Sequence, residues 1–207
     1  MLNEQDQLRA RFMAGDAVSF NFKGQHLYGK VMRTNPKRAV IKTDNLEFTV
    51  PYELLIADPD IAVKRRQRIE AILQLALHLI AKHGLNKWRF QFDHSTRRAG
   101  CCNYRDKTLS ISFYLAQNGS DADIRDTLLH EIAHALVGKQ HNHDAVWKAK
   151  AQEIECSGER THQLEFSPPR WHVRCENNCW KQTAERRNTR LCCRTCGGQL
   201  IYSRPLS

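Results

Sequence analysis

Between Gly15 and Pro51 apolar and polar side chains alternate in short runs. Val18, Phe20 and Phe22 share one parity, and Tyr28, Val31, Val40, Ile41, Phe48 and Val50 carry the pattern on. Lys23-Gly24-Gln25 and Asn35-Pro36-Lys37 interrupt it with turn residues. A period of two broken by Gly, Asn and Pro predicts short strands, here a small β-barrel over residues 1–58. Ala57-Asp58-Pro59-Asp60 reads as a linker. Beyond it the period changes. After the basic run Lys64-Arg65-Arg66-Gln67-Arg68, the residues Ile69, Ile72, Leu73, Ala76, Leu79 and Ile80 fall on one helical face, and Gly84 ends the helix. A second helix carries Thr127, Leu128, Ile132, Ala135 and Leu136, from the cap-like Ser120, Asp121 and Asp123 to Gly138. A third helical stretch runs from Ala145 to Ile154. The expected fold class is α+β.

The second helix carries the most informative residues. His130-Glu131-Ile132-Ala133-His134 is an HExxH pattern. Histidines four apart lie one turn apart on one helix face, so both imidazoles can reach a single zinc ion. Glu131, beside the first of them, is placed to take a proton from a metal-bound water, as in zinc-dependent peptidases. Histidines also occur as satisfied core residues. Here a carboxylate and two imidazoles sit among Leu, Ile and Ala, and their burial demands partners, of which a metal is the simplest. A catalytic zinc takes a third protein ligand and keeps a position open for water. The longer metzincin pattern is excluded, because Val137 and Gln140 stand where glycine and histidine would be needed. Glu153 and Glu155 fall near the distance of a thermolysin-like third ligand, and His141 and His143, just past Gly138, are the stronger candidates.

Cysteine supplies the second constellation. Cys175, Cys179, Cys193 and Cys196 form a C-x3-C and a C-x2-C pair that can offer four thiolates to a structural zinc, with Cys192 as an alternative to Cys193. Gly197-Gly198 supplies the tight backbone after the second pair. The polar start Met1-Leu2-Asn3-Glu4-Gln5-Asp6 lacks a signal-peptide pattern, and the apolar run Ala71 to Ala81 is too short and too interrupted to span a membrane. A cytoplasmic chain, nucleoid-associated if the cell is bacterial, is therefore expected. Such a compartment keeps thiols reduced and favours metal over disulfides. Cys101, Cys102 and Cys156 are expected to be structural, as most free cysteines are.

His130-Glu131-x-x-His134 followed by His143-Asp144-Ala145-Val146-Trp147 resembles the SprT-like (Spartan-related) zinc metallopeptidases. Ala99-Gly100-Cys101-Cys102-Asn103-Tyr104, Ile111-Ser112 and Asp126-Thr127-Leu128-Leu129 resemble the strand and helix entry of that domain, with Trp88 and Phe90 in its first strand. The resemblance covers residues 62–166 and extends to a C-terminal zinc ribbon, residues 167–207. It implies a zincin-like domain with His130, His134 and His143 on a catalytic zinc and Glu131 as general base. His141 is then a solvated neighbour or a group supporting the ligands. Asp144 departs from the family's usual glycine but leaves His143 in register. The N-terminal strands look like an SH3-like or KOW-like barrel.

Charge bears on the partner. Residues 1–60 carry eight basic and eight acidic side chains, residues 61–160 sixteen and eleven, and residues 161–207 eight and three. Basic charge concentrated on a cysteine-rich tail suits a polyanion, most plausibly nucleic acid. Arg186, Arg187 and Arg190 lie between the cysteine pairs, and Trp180, with Trp171 as a weaker candidate, is placed to stack on unpaired bases. The expected partner is DNA, single-stranded or distorted, and the resemblance implies substrates that are proteins attached or crosslinked to DNA. Two other classes stay open: a nucleic-acid-binding zinc protein without protease activity, and a zinc hydrolase acting on another peptide or amide.

Overall fold

A short helix, α1 (Glu4–Arg9), leads into four antiparallel strands, β1 (Ala17–Phe22), β2 (Gln25–Thr34), β3 (Arg38–Lys42) and β4 (Glu47–Pro51), each paired with the next. This computed structural model describes residues 3–159, 169–184 and 186–204. The β1–β2 turn is tight because Lys23 and Gly24 both take positive φ, 49° and 78°, the geometry whose twist matches paired strands. A 3-10 turn, Tyr52–Leu54, then brings the chain back to β1, where Ser19 and Ile56 exchange backbone hydrogen bonds of 3.1 and 2.9 Å. The small barrel expected from the alternation is thus a half-barrel tied at one bridge. Phe12, Phe20, Val31, Ile41, Val50 and Tyr52 fill it.

The expected linker is instead a helix start. Asp58 accepts hydrogen bonds from the N–H groups of Asp60 and Ile61 at 3.0 and 3.2 Å, and Pro59 occupies the first turn, where no N–H is needed. Helix α2 (Pro59–Lys82) therefore begins inside the segment that composition marks as a connector.

Three strands follow: β5 (Arg89–Asp93), β6 (Gly100–Asn103) and β7 (Thr108–Ser112), in the order β5-β7-β6, with β5 parallel and β6 antiparallel to β7. Every residue of β7 is buried, as befits a central strand covered on both faces. β6 is left as the short edge. Helices α3 (Phe113–Asn118), α4 (Asp121–Val137) and α5 (Ala145–Glu153) complete this part. One core joins Ile69, Ile72 and Leu79 of α2, Leu109 and Ile111 of β7, and Leu128, Leu129 and Ile132 of α4. Among the described residues no helix is long and apolar enough to cross a membrane.

Half-barrel and helical part belong to one compact unit, Met1–Phe166. Arg65 clamps Asp16 with both guanidinium nitrogens. Tyr114 donates its hydroxyl to the Thr34 carbonyl at 2.5 Å, and Gln117 donates to the Phe12 carbonyl at 2.8 Å. Arg9 is fully buried, its guanidinium 4.3 Å from the centre of the Phe113 ring and hydrogen-bonded to His94.

The second unit is Ser167–Ser207, and the expected boundary before it falls outside the described residues. Its strands β8 (Trp171–Cys175), β9 (Lys181–Ala184) and β10 (Leu200–Ser203) form an antiparallel sheet ordered β10-β8-β9. Its fully buried hydrophobic side chains, among the described residues, are Val173, Cys175 and Cys193. So small a core cannot hold a domain without a staple.

Candidate metal centres

Helix α4 is fixed at both ends. Ser120 and Asp123 form a reciprocal capping box at its start, and Gly138, with φ of 86°, ends it in a conformation that glycine adopts freely. Between these stops His130 and Glu131 are buried and His134 is half-buried. The chain then turns through His143, whose φ of 58° is left-handed, and enters α5. The side chain of Asp144 caps α5 by accepting from the Trp147 N–H at 2.9 Å. Asp144 itself sits at φ −78°, so the residue in place of the usual glycine needs no glycine conformation; His143 bears the strained one.

This turn brings three imidazoles together. Nε2 of His143 lies 3.0 Å from Nε2 of His130 and 3.1 Å from Nε2 of His134. A tetrahedral zinc holds its nitrogens about 3.3–3.4 Å apart, given bonds of about 2.0–2.1 Å. The triad fits a metal ion, and its donor set is consistent with zinc. The indole of Trp147 backs all three rings, with centroids 4.7, 5.1 and 4.6 Å from those of His130, His134 and His143. Burying so large a ring contributes about 1.5–3 kcal/mol and fixes the imidazoles from behind.

Glu131 points to the edge strand. A Cβ on Gly100 would lie 2.7 Å from Glu131 Oε1 and 2.8 Å from its Cγ, so the carboxylate occupies room that only glycine leaves. The backbone N–H of Cys102 hydrogen-bonds it from the same strand. Burial pushes the Glu131 carboxyl up to about 8; Arg98 opposes the shift and Asp93 adds to it. A carboxyl poised near neutrality both accepts and returns protons. Burial, reinforced by His143, lowers His134 to about 4, so it is neutral at physiological pH, the form that ligates metal. Tyr104 donates to the His134 carbonyl at 3.1 Å, holding the second histidine's backbone.

In the second unit Cys175, Cys179, Cys193 and Cys196 place their sulfurs within 4.8 Å of one another. Cys175 and Cys196 are 3.4 Å apart, far beyond the roughly 2.05 Å of a disulfide. Gly197 turns the chain at φ 71°, and a Cβ on Gly198 would come within 3.2 Å of Cys196 Sγ. The N–H of Asn177 points at Cys175 Sγ over 3.4 Å. Burial raises the Cys193 thiol, but the backbone N–H groups of Cys196 and Thr195, together with the side chains of Cys175 and Cys196, bring it down to about 6, favouring thiolate.

A family model described as the SprT-like family matches residues 69–186, more than half of the chain. The chain belongs to the SprT-like family. That family is generally metallopeptidase-like. No curated protein and no solved structure gives a significant match.

The remaining candidates of this SprT-like chain separate clearly. His141 lies outside the triad and holds Asp144 Oδ2 at 2.8 Å, supporting the turn that carries His143. Glu153 pairs with Lys150 and Glu155 with Arg125, and neither joins the ligand group of His130, His134 and His143. Cys192 is exposed and bridges to Gln199, leaving Cys193 in the cluster. Burial raises Cys101, and raises Cys102 to about 12 and Cys156 to about 11, which leaves them as unreactive thiols. Arg186, Arg187 and Arg190 are exposed. Trp180 is half-buried and its carbonyl accepts from the Cys175 N–H at 3.2 Å; Trp171 packs on Tyr202. Sequence reading passed over Gly100 and Tyr104 as site residues, because nothing local marks an approach made across the sheet. It also passed over Arg174 and Lys181, cross-strand neighbours on the exposed face of β8 and β9. The alternation in Trp171-His172-Val173-Arg174-Cys175 was the available signal for Arg174.

Proposed function

We propose that the chain is a zinc-dependent metalloprotease acting on DNA-associated or DNA-crosslinked proteins, with His130, His134 and His143 holding a catalytic zinc. The convergence of the three Nε2 atoms beside a buried Glu131 carries this reading. Bound zinc supplies a Lewis acid and an activated water. Glu131 takes the proton of the attacking water and returns it to the leaving amine. The Cys102 N–H holds its carboxylate in the room that Gly100 leaves. Cys175, Cys179, Cys193 and Cys196 hold a second, structural zinc, which makes the C-terminal unit a zinc ribbon. Arg186, Arg187 and Arg190, now joined by Arg174 and Lys181, give it an exposed basic surface for DNA, with Trp180 at its side. Contact with DNA restricts cleavage to proteins on DNA.

The test is cleavage of a protein crosslinked to single-stranded DNA by the wild type and by Glu131→Gln, with the same protein free of DNA alongside. Cleavage by the wild type alone, and only with DNA attached, is the expected result. Full activity in Glu131→Gln overturns the assigned base, and no cleavage in any arm with zinc present moves the weight to a binding protein without protease activity.

A further inference from the structure

The outer face of the half-barrel carries charge that the neutral total of residues 1–60 conceals. Between Ala17 and Pro51 stand Lys23, Lys30, Arg33, Lys37, Arg38 and Lys42 against only Asp44 and Glu47; the balancing carboxylates lie before β1 and after β4. Lys23, Lys30, Lys37, Arg38 and Lys42 are exposed and enter no ion pair among the described residues. The register sets Lys30 directly across from Lys42. Like charges opposite each other weaken a sheet, and Glu47, across from Lys42 on the other side, forms no ion pair with it.

Tyr28 lies two residues from Lys30 on the same face of β2 and is 73 % exposed. Its ring is not idle surface. His26 stands perpendicular to it at 4.9 Å, and Asn21 Oδ1 fixes His26 Nδ1 at 2.8 Å. The solvent face of a sheet ordinarily carries polar residues. An oriented, open aromatic ring flanked by two unpaired lysines combines the two elements that hold unpaired strands: a stacking platform and phosphate neutralisation. A run of Asp and Glu would use the lysines but offers no planar base to stack on the ring.

We propose that Asn21, His26, Tyr28, Lys30 and Lys42 form a surface for single-stranded nucleic acid on the half-barrel. Its binding does not depend on the cysteine unit or on peptidase activity. The clamps of Arg9, Arg65 and Tyr114 fasten the half-barrel to the part that carries the histidine triad. A strand bound here is held at a fixed place relative to Glu131, so a protein attached to that strand is presented within a limited reach.

The experiment uses the full chain carrying Arg174→Glu, Lys181→Glu, Arg186→Glu, Arg187→Glu and Arg190→Glu, with binding of a labelled oligothymidylate followed by fluorescence anisotropy across a salt series. Tyr28→Ala in this background is expected to raise Kd about fivefold or more, with Tyr28→Phe retaining affinity. Lys30→Glu with Lys42→Glu is expected to weaken binding and flatten the salt dependence by about 1.4 in log–log slope. Unchanged affinity in Tyr28→Ala overturns the surface whatever the lysine variants do. So does binding of polyglutamate in place of the oligonucleotide. If these C-terminal basic residues contribute nothing to DNA binding, the background behaves as wild type and the half-barrel is still read.

Discussion

Gly100 and Glu131 are far apart in sequence, and the absence of one side chain makes room for the other. Gly100→Ala places a methyl group 2.7 Å from Glu131 Oε1, and the carboxylate has to move. A misplacement of about 1 Å at a reacting group can cost about a hundredfold in rate. On the proposed function, Gly100→Ala retains metal, as read by metal analysis, and keeps its melting temperature within a few degrees. Cleavage of a DNA-crosslinked protein by this variant should fall about 10- to 100-fold in kcat. Wild-type kcat would show that the carboxylate works equally well from a second position.

At the scale of elements, the triad depends on how α4 ends and α5 begins. Gly138 stops α4 just after its second histidine, and Asp144 starts α5 while pairing with His141. The segment between is short enough that one cap determines where His143 points. Asp144→Ala removes the N-cap and should cost about 1 kcal/mol in urea unfolding, with weaker zinc retention against a chelator. Asp144→Asn, which still caps, should recover most of the stability. Loss of stability without any change in zinc retention would mean that Trp147 alone holds the triad.

For the whole molecule, the two units stand on different supports. Unit Met1–Phe166 has two sizeable apolar cores, whereas Ser167–Ser207 relies on its cysteine cluster. On the proposed zinc-ribbon reading, removing metal with a chelator should unfold the second unit and spare most of the first, because metal binding at such a site is itself folding free energy. Amide spectra report this directly, and a collapse of both sets of signals together would refute independent support. Acid acts elsewhere. Burial, with Arg9 beside it, lowers His94, so the folded chain favours its neutral form, which accepts from Arg9. That contribution is full above the ordinary histidine value of about 6.5 and is lost as pH falls towards the lower folded value. Urea midpoints should therefore drop between neutral and mildly acidic pH, and less so in His94→Gln; identical pH dependence in both would place the acid sensitivity on other groups.

Local chemistry settles much of this protein. Alternation with Gly and Pro turns specifies the half-barrel strands, helical spacing specifies α2 and α4, and Ser120 and Gly138 mark the ends of α4. The HExxH spacing alone puts two imidazoles on one face, since that follows from helix geometry. The spacing of the cysteine pairs likewise narrows their partners. Spacing by itself leaves the non-local choices open: which of His141, His143, Glu153 and Glu155 joins the triad, where the family resemblance points to His143, and whether Cys193, the expected ligand, or Cys192 joins the cluster. Asp58 looked like linker because a capping residue and a turn residue have the same composition, and only the hydrogen bonds to Asp60 and Ile61 tell them apart. Gly100 beneath Glu131, Trp147 behind three imidazoles and Lys30 opposite Lys42 are products of strand register and helix packing. Sequence fixes which side chains share an element; burial of one common core decides which elements meet.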